Sequence, residues 1–328
     1  MRELVAALPA DYPAAVFVVL HIAADAPSIL PDILNRASRL PAAFARTGMR
    51  VREGTITVTP PDHHLVLGES GVVLSRGPRE NRHRPSIDVL FRSAAVAFGP
   101  RVTGVVLSGM LDDGSAGLWA IERRGGVAVV QDPDDAEYPD MPRSALQTVA
   151  TVMSLPIRDI GPALVRLARE PVEQAAAEAP PGMASEVRMA TQNADWMEEL
   201  DRIGERVPYT CPECGGSLWE MDNGGSRFRC HNGHAYSLNN LAAEQAIHVE
   251  AALWAGVRKL EESEHLARKM EGQARSRGNE RSAQYYADMA QGSASHAETL
   301  RDLLTQHPAP AEQPLAVARE RTSSPLRG

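Results

Sequence analysis

The sequence lacks a basic field: its 34 Lys and Arg are outnumbered by 42 Asp and Glu, for a net charge of −8. That balance argues against nucleic acid as a partner and suits a chain kept soluble by self-repulsion. It also lacks a membrane span. The opening MRELVAALPADYPAAVFVVLH holds an apolar stretch too short to cross a bilayer. It has neither the basic start nor the small-residue cleavage site of a signal peptide. No later run reaches spanning length, so membrane insertion is not expected and the protein reads as cytoplasmic. A disulfide framework is missing too. The 3 cysteines all fall between positions 211 and 230, an odd, clustered set that favours a metal. There is no internal repeat. What remains is a chain of 328 residues, 43% hydrophobic, enough for one large domain and a smaller module.

Residues 1–170 alternate strand-like and helix-like segments. Val16–Leu20, Thr103–Leu107 and Val127–Val130 are apolar, β-branched runs that read as buried strands. Thr55–Thr59 and Val152–Leu155 are shorter strands. His64–Leu67 and Val72–Leu74 flank Gly68–Gly71 as a hairpin. Helices are expected at Pro31–Leu40, Ser86–Phe98 with Ser86 as N-cap, about Ser115–Arg124, Pro142–Val149 and Ile157–Arg169. This alternation predicts an α/β fold with a doubly wound, mostly parallel sheet and an inserted antiparallel hairpin. Residues 171–194 turn to Ala, Pro and Glu, which reads as a linker. A small ribbon is expected over 195–237, a helical hairpin over 238–306 broken near Arg277-Gly278, and a disordered tail from His307. The hairpin carries Leu241, Ala242, Gln245, Trp254, Val257, Leu260, Tyr285, Met289, Leu300, Leu303 and Leu304. These read as a self-packing or dimerising stripe, with docking onto a helical partner as the alternative. Arg79, Arg82, His83 and Arg84 read as a solvated basic loop.

Cys211-Pro-Glu-Cys214 and Cys230-His-Asn-Gly-His234 have the spacing of a structural zinc site. The C-x2-C pair forms a knuckle, and a second Cys and a His complete a tetrahedron. The expected ligands are Cys211, Cys214, Cys230 and His234, with His231 as rival for the fourth place. Four protein ligands leave no open position for substrate, so Zn2+ would hold the ribbon together and take no part in chemistry. Gly215-Gly216 and Gly224-Gly225 suit the ribbon's turns. A redox C-x-x-C is the competing reading, but no thioredoxin-like β-α context surrounds it.

Two loops follow strands where an open parallel sheet places its active crevice. One carries His21; the other runs Ser108-Gly-Met-Leu-Asp-Asp-Gly114. A His and an Asp there suit the base and orienter of a triad, although an Asp-Gly after a strand is commonly turn chemistry. The blocks LPADYPAAVFVVLHI, TVTPPDHHLVL, HRPSIDVLFRSAA, GVVLSGMLDDGSAGL, VVQDP and MPRSAL occur in that order. Together they resemble the catalytic domain of the CheB-type chemotaxis protein-glutamate methylesterases over about residues 1–168. The resemblance implies hydrolysis of glutamyl methyl esters on chemoreceptors, with deamidation of receptor glutamines in many members. It implies His21 as general base, Asp113 rather than Asp112 as its orienter, and the Met110 backbone N–H as an oxyanion donor. It gives His83–Asp88 a supporting role. The methyl-accepting receptors are the implied partners, with the chemotaxis methyltransferase and response regulators of the phosphorelay as further ones. The C-terminal extension is similar to one found on members without a receiver domain.

The family nucleophile, a serine in a G-x-S-x-G-G turn, has no counterpart. MRELVAALP resembles the helix that follows that turn, so strand and serine are expected to lie before residue 1. Ser70 reads as a hairpin turn residue, Ser108 as a backbone-bonding residue, and Ser28 and Ser86 as helix caps. The expectation is an enzyme whose chain starts too late and is almost inactive as given. The alternative is an inactive, zinc-containing scaffold in a chemosensory pathway.

Overall fold

The computed structural model describes residues 1–68, 70–172, 177–180, 182–191, 196–221 and 227–306. They divide into two units, Met1–Leu241 and one beginning at Ala242. The first unit opens with α1 (Arg2–Ala6), β1 (Val16–Val18), α2 (Leu30–Ala37), β2 (Ala42–Phe44) and β3 (Ile56–Val58). The hairpin β4 (His64–Gly68) and β5 (Gly71–Ser75) follows. Then come α3 (Ile87–Phe98), β6 (Thr103–Val106), α4 (Ser115–Arg123), β7 (Val127–Gln131), α5 (Asp140–Thr148), β8 (Val152–Leu155) and α6 (Ile157–Leu167).

The architecture is mixed α/β with parallel sheets, as expected, but the described strands do not form one continuous sheet. They form two parallel three-stranded sheets, ordered β1-β3-β2 and β6-β7-β8, beside the two-stranded hairpin. Apolar side chains join what ladder hydrogen bonds do not. Val18, Ile56 and Val58 of one sheet share a core with Val129 of the other, closed by Leu34 and Ile160. The second core lies between α3, α4 and β6–β7, around Leu118, Ile121, Val106 and Val130. Gly104 makes that approach feasible: a Cβ there would lie 2.6 Å from Leu118 and Ile121. Strand β2 escaped the sequence reading because Ala42–Phe44 lacks β-branched residues. The Asn35 amide recruits it, donating to the Ala42 carbonyl (2.8 Å) and accepting the Ala42 N–H (2.7 Å).

The segment expected to be a linker contains α7 (Met183–Ala190), with Met183, Glu186 and Met189 buried. It has too few apolar groups to fold alone, and it folds against the rest of the unit. After α8 (Trp196–Ile203) come β9 (Gly204–Thr210), β10 (Ser217–Met221), β11 (Arg227–Cys230) and β12 (Ala235–Ser237). These form an antiparallel ribbon ordered β12-β11-β10-β9 around Leu218, Phe228, Cys230 and Tyr236. Gly224-Gly225 and the tail from His307 lie outside the described residues.

The second unit comprises the remainder of α9 (Leu238–Ser276) and α10 (Glu280–Gln306). Ser263 meets Ser293 and Glu261 meets Arg301, so the helices run antiparallel. Their seam differs from the expected stripe. Val257, Ala267, Ala274, Ala283, Ala290 and Ala297 are buried, whereas Trp254, Tyr285, Met289 and Leu303 are exposed. Alanines seven residues apart return to one face every two turns, and their small size lets the helix backbones approach. No described helix is long and apolar enough to cross a membrane.

Candidate active site and metal centre

His21 follows β1, and its Nε2 lies 2.7 Å from Asp113 Oδ2. Asp113 is 1% exposed and saturated with donors. Oδ1 accepts from Ser86 Oγ (2.7 Å), Asn81 Nδ2 (3.1 Å) and the Asp88 N–H (3.3 Å); Oδ2 also accepts from the Ile87 N–H (2.7 Å). The carboxylate therefore sits at the N-terminus of α3, where the helix dipole and free N–H groups favour negative charge. Burial alone would raise its pKa. The His21 hydrogen bond and charge, together with the Ile87 N–H, outweigh burial and hold Asp113 well below the usual carboxylate range. Asp88 goes the other way. Burial first, then repulsion from Asp113, pushes its pKa up to about 7.

Ser86 occupies the N-cap position of α3 without capping it. Its hydroxyl reaches Asp113 instead, which corrects the expected role. Ser28, the other expected cap, accepts the N–H of Leu30 at 3.4 Å just ahead of α2. His83 stacks on His21 with ring centroids 3.8 Å apart and planes 4° apart. Burial, then the charge of His21, lowers the His83 pKa to about 4, so it covers His21 as a neutral ring. Buried His64 completes the shell, accepting the Ser86 N–H on Nδ1 (3.3 Å) and meeting the Pro78 carbonyl through Nε2 (2.9 Å).

The Ser108–Gly114 loop is pinned from behind. Ser108 N–H donates to Gln131 Oε1 (3.0 Å), Tyr138 N–H to Ser108 Oγ (2.9 Å), and Gly109 N–H to the Tyr138 carbonyl (2.9 Å). Leu111 is left-handed at φ 62, a strained conformation for a leucine. No acceptor among the described residues takes the N–H of Met110, whose side chain is exposed. The two adjacent acids diverge. Asp113 faces His21, whereas Asp112 is buried and accepts from Asn240 Nδ2 at the start of α9. In the neutral form that gives its Nε2–H to Asp113, His21 carries its lone pair on Nδ1, which can accept a proton from a hydroxyl. That is the chemistry of a base fixed by a buried carboxylate.

In the ribbon, the ligand atoms of Cys211, Cys214, Cys230 and His234 all lie within 4.8 Å of one another, close enough to hold a metal ion. Cys230 Sγ and Cys211 Sγ are 3.4 and 3.7 Å from His234 Nδ1, and Cys214 Sγ is 3.7 Å from Cys230 Sγ. Gly215 (φ 71) and Gly233 (φ 92) turn the two knuckles. His231, the rival ligand, packs instead on Gly216. Glu213 stands 3.2 Å from His234 Nε2, on the far side of the ring.

The basic loop 79–84 is not simply solvated, because Glu80 and Asn81 are buried within it. Glu80 binds Arg92 (2.7 Å) and Arg229 of β11 (2.7 Å); Glu186 of α7 binds Arg227 (3.0 Å) and Arg229 (3.1 Å). Sequence reasoning missed this cluster and the part played by Asn81. The motif H-x-P-S-x-D points to Ser86 and Asp88, but nothing local marks Asn81.

The family model for CheB methylesterase matches residues 1–164, and the chain belongs to that family. A protein-glutamate methylesterase/protein-glutamine glutaminase 4 of Anaeromyxobacter dehalogenans is 40% identical over 174 residues, 52% of this chain and 49% of the relative. A putative protein of the same description from Leptospira interrogans is 34% identical over 175 residues, 53% of this chain and 91% of the relative. The chain thus spans about half the length of the first relative and nearly all of the second. The Thermotoga maritima CheB methylesterase catalytic domain is 27% identical with a TM-score of 0.47, covering 51% of this chain and 90% of that one.

Proposed function

We propose that the protein hydrolyses glutamyl methyl esters on chemoreceptors, with receptor glutamine amides as a second substrate class. The observation that carries this reading is the 2.7 Å pairing of His21 with a buried, donor-saturated Asp113 in a chain of this family. A hydroxyl attacks the ester carbonyl, and His21 Nδ1 takes the hydroxyl proton as the C–O bond forms. The Met110 N–H stabilises the oxyanion, which is strongest in the transition state. His21 then returns the proton to the departing methoxide, releasing methanol, and water clears the acyl group by the same steps in reverse order. Asp113 keeps the ring in the Nε2–H tautomer and stabilises the imidazolium. The reading needs the hydroxyl of a G-x-S-x-G-G turn, a sequence that does not occur within residues 1–328.

The test is methanol release from methylated receptor by the protein purified from its own host. Release that falls sharply in His21→Ala supports the reading; equal rates for parent and variant sink the assigned base. No methanol release from the parent would favour the rival reading, a zinc-containing scaffold that binds receptors without hydrolysing them.

We also infer that the cysteine-histidine cluster holds zinc. Three thiolates and one imidazole are a zinc donor set, and bonds of about 2.0–2.3 Å in a tetrahedron require ligand atoms about 3.3–3.8 Å apart. Glu213 suits the carboxylate that fixes a ligating imidazole from behind. With four protein ligands the ion supplies folding energy rather than a bound water. Zinc content of about one per chain, lost in Cys230→Ala, is expected; retention in that variant would overturn the ligand set.

A further inference from the structure

Apart from its pairing with His21, Asp113 is held from two sides. One is the first turn of α3, through Ser86, Ile87 and Asp88. The other is a single side chain, Asn81, whose amide NH2 donates to Asp113 Oδ1 (3.1 Å) and to Asp88 Oδ2 (2.8 Å). Asn81 is 4% exposed and left-handed at φ 50, followed by Arg82 at φ 70. Successive left-handed residues other than glycine need outside support.

The support comes from the ribbon. The Asn81 N–H donates to the Ala235 carbonyl (2.8 Å), and the Asn81 side-chain oxygen accepts the Ser237 N–H (3.1 Å). Both ends of the amide are therefore assigned: its oxygen to β12 and its nitrogen to the two carboxylates. A flipped amide would turn its oxygen toward Asp113 and Asp88 and lose the ribbon donor as well. Strand β12 starts one residue after the ligand His234. A second link runs beside the first. Arg229, next to the ligand Cys230, donates to the Gly233 carbonyl (2.9 Å) and to Glu80 (2.7 Å), the residue before Asn81. At the other end, Asn240 holds Asp112, the residue before Asp113.

A ribbon of this size depends on its metal for fixed strand positions. The chain itself links the ligand His234 to β12, hydrogen bonds link β12 to Asn81, and buried hydrogen bonds link Asn81 to Asp113 and Asp88, so displacement at one end is felt at the other. We propose that the metal-binding ribbon is the positioning clamp of the Asp113 carboxylate, acting through Asn81, so that metal loading sets the order of the His21–Asp113 pair. This rests on the zinc reading of the cluster above. Asn81 is a positioning residue; it touches neither substrate nor metal.

The test follows the ring N–H proton that His21 gives to Asp113, by NMR on the full chain labelled with 15N-histidine and assigned with His21→Gln. A sharp resonance is expected in the zinc-loaded protein. Stripping zinc with a chelator under reducing conditions should broaden it, and about one equivalent of Zn2+ should restore it. In Asn81→Ala and Ser237→Pro, both at full zinc content, the proton should exchange with solvent about tenfold faster, the effect of losing one hydrogen bond. An unmoved resonance after verified zinc loss, or in Asn81→Ala, overturns the proposal. Should chelation unfold the first unit, the two zinc-loaded variants decide the matter by the same criterion. A merely structural role for Asn81 would lower the melting temperature without moving the resonance. Methanol release enters none of these readings. A protein that shows the coupling but hydrolyses nothing fails the esterase reading alone, and one that hydrolyses ester with an unmoved resonance fails the clamp alone.

Discussion

Where α4 meets β6 and β7, the contact is made by Leu118, Ile121, Val106 and Val130. The ribbon meets the same body in part through an apolar cluster of Met189, Trp219 and Met221, but its distinctive contact is made by Glu80, Arg92, Glu186, Arg227 and Arg229, all buried. The first junction is non-directional. Its stability scales with area removed from water, and it tolerates repacking at constant volume. The second is directional. Glu80 and Glu186 each bind Arg92 of α3 as well as arginines of β11, and every charge must keep its partners to offset its desolvation. An apolar junction sets how strongly two pieces adhere, whereas this one fixes where they sit relative to each other. The catalytic-looking carboxylate lies on the directional side.

The largest effect that would sharpen the contrast is at Asp113. Asp113→Asn keeps the shape and removes the charge that orients His21. Methanol release by the protein from its own host should fall about 10³–10⁴-fold, and a fall below tenfold would remove Asp113 from the mechanism. Next comes Arg229→Met, which leaves Glu80 and Glu186 short of a partner. Denaturant unfolding should show a loss of about 3–5 kcal/mol; a neutral result would mean that the junction is not under ionic control. Ile121→Ala in the apolar junction should cost about 2–4 kcal/mol, but with the Asp113 site unaltered by NMR. The smallest effect belongs to the second unit. Arg268→Ala removes an exposed ion pair with Glu264, and its unfolding should shift by less than about 1 kcal/mol.

Acid separates the two junctions in another way. Burial would raise the Glu80 pKa, but Arg229 and Arg92 outweigh burial and bring it down to about 2. A carboxyl whose folded pKa lies below its unfolded value, about 4.3, stabilises the fold above that value. The contribution fades as pH falls through the folded pKa. Amide exchange at residues 79–83 and 227–237 should therefore rise between about pH 4.3 and pH 2, ahead of β7. Simultaneous exposure of both regions would erase the distinction.

Much of the apolar half was legible in the sequence. Runs such as Val127–Val130 announce strands, and the Gly125-Gly126 pair marks where α4 ends. His21 and Asp113 were legible through strand-end position and resemblance. The directional half was not. Glu80 and Arg229 are 149 positions apart, and Glu186 and Arg227 are 41 apart. A charged residue in a strand reads as solvent-facing until its partner is known. Glu186 was hidden in an Ala-Pro-Glu stretch whose composition suggests a linker. Ser86 looked like a cap because the same residue types serve as caps and as donors to a carboxylate. The alanine seam of α9 and α10 is not legible for a simpler reason: an apolar stripe is defined by its large residues, whereas small ones set the distance between helices.

The burial of Glu186, Arg227 and Arg229 against Glu80 and Arg92 also bears on how such a gene can be rearranged. The low-complexity stretch before Met183 looks like a natural seam for recombination. A crossover there would give one product with Glu80 and Arg92 bare beside Asp88, and another with two arginines and only Glu186 to face them. The first half would keep the Glu80–Arg92 pair, whereas the second would carry two arginines against one carboxylate. In this chain the hydrolase segment and its extension therefore share one set of buried charges, although their compositions suggest two independent pieces.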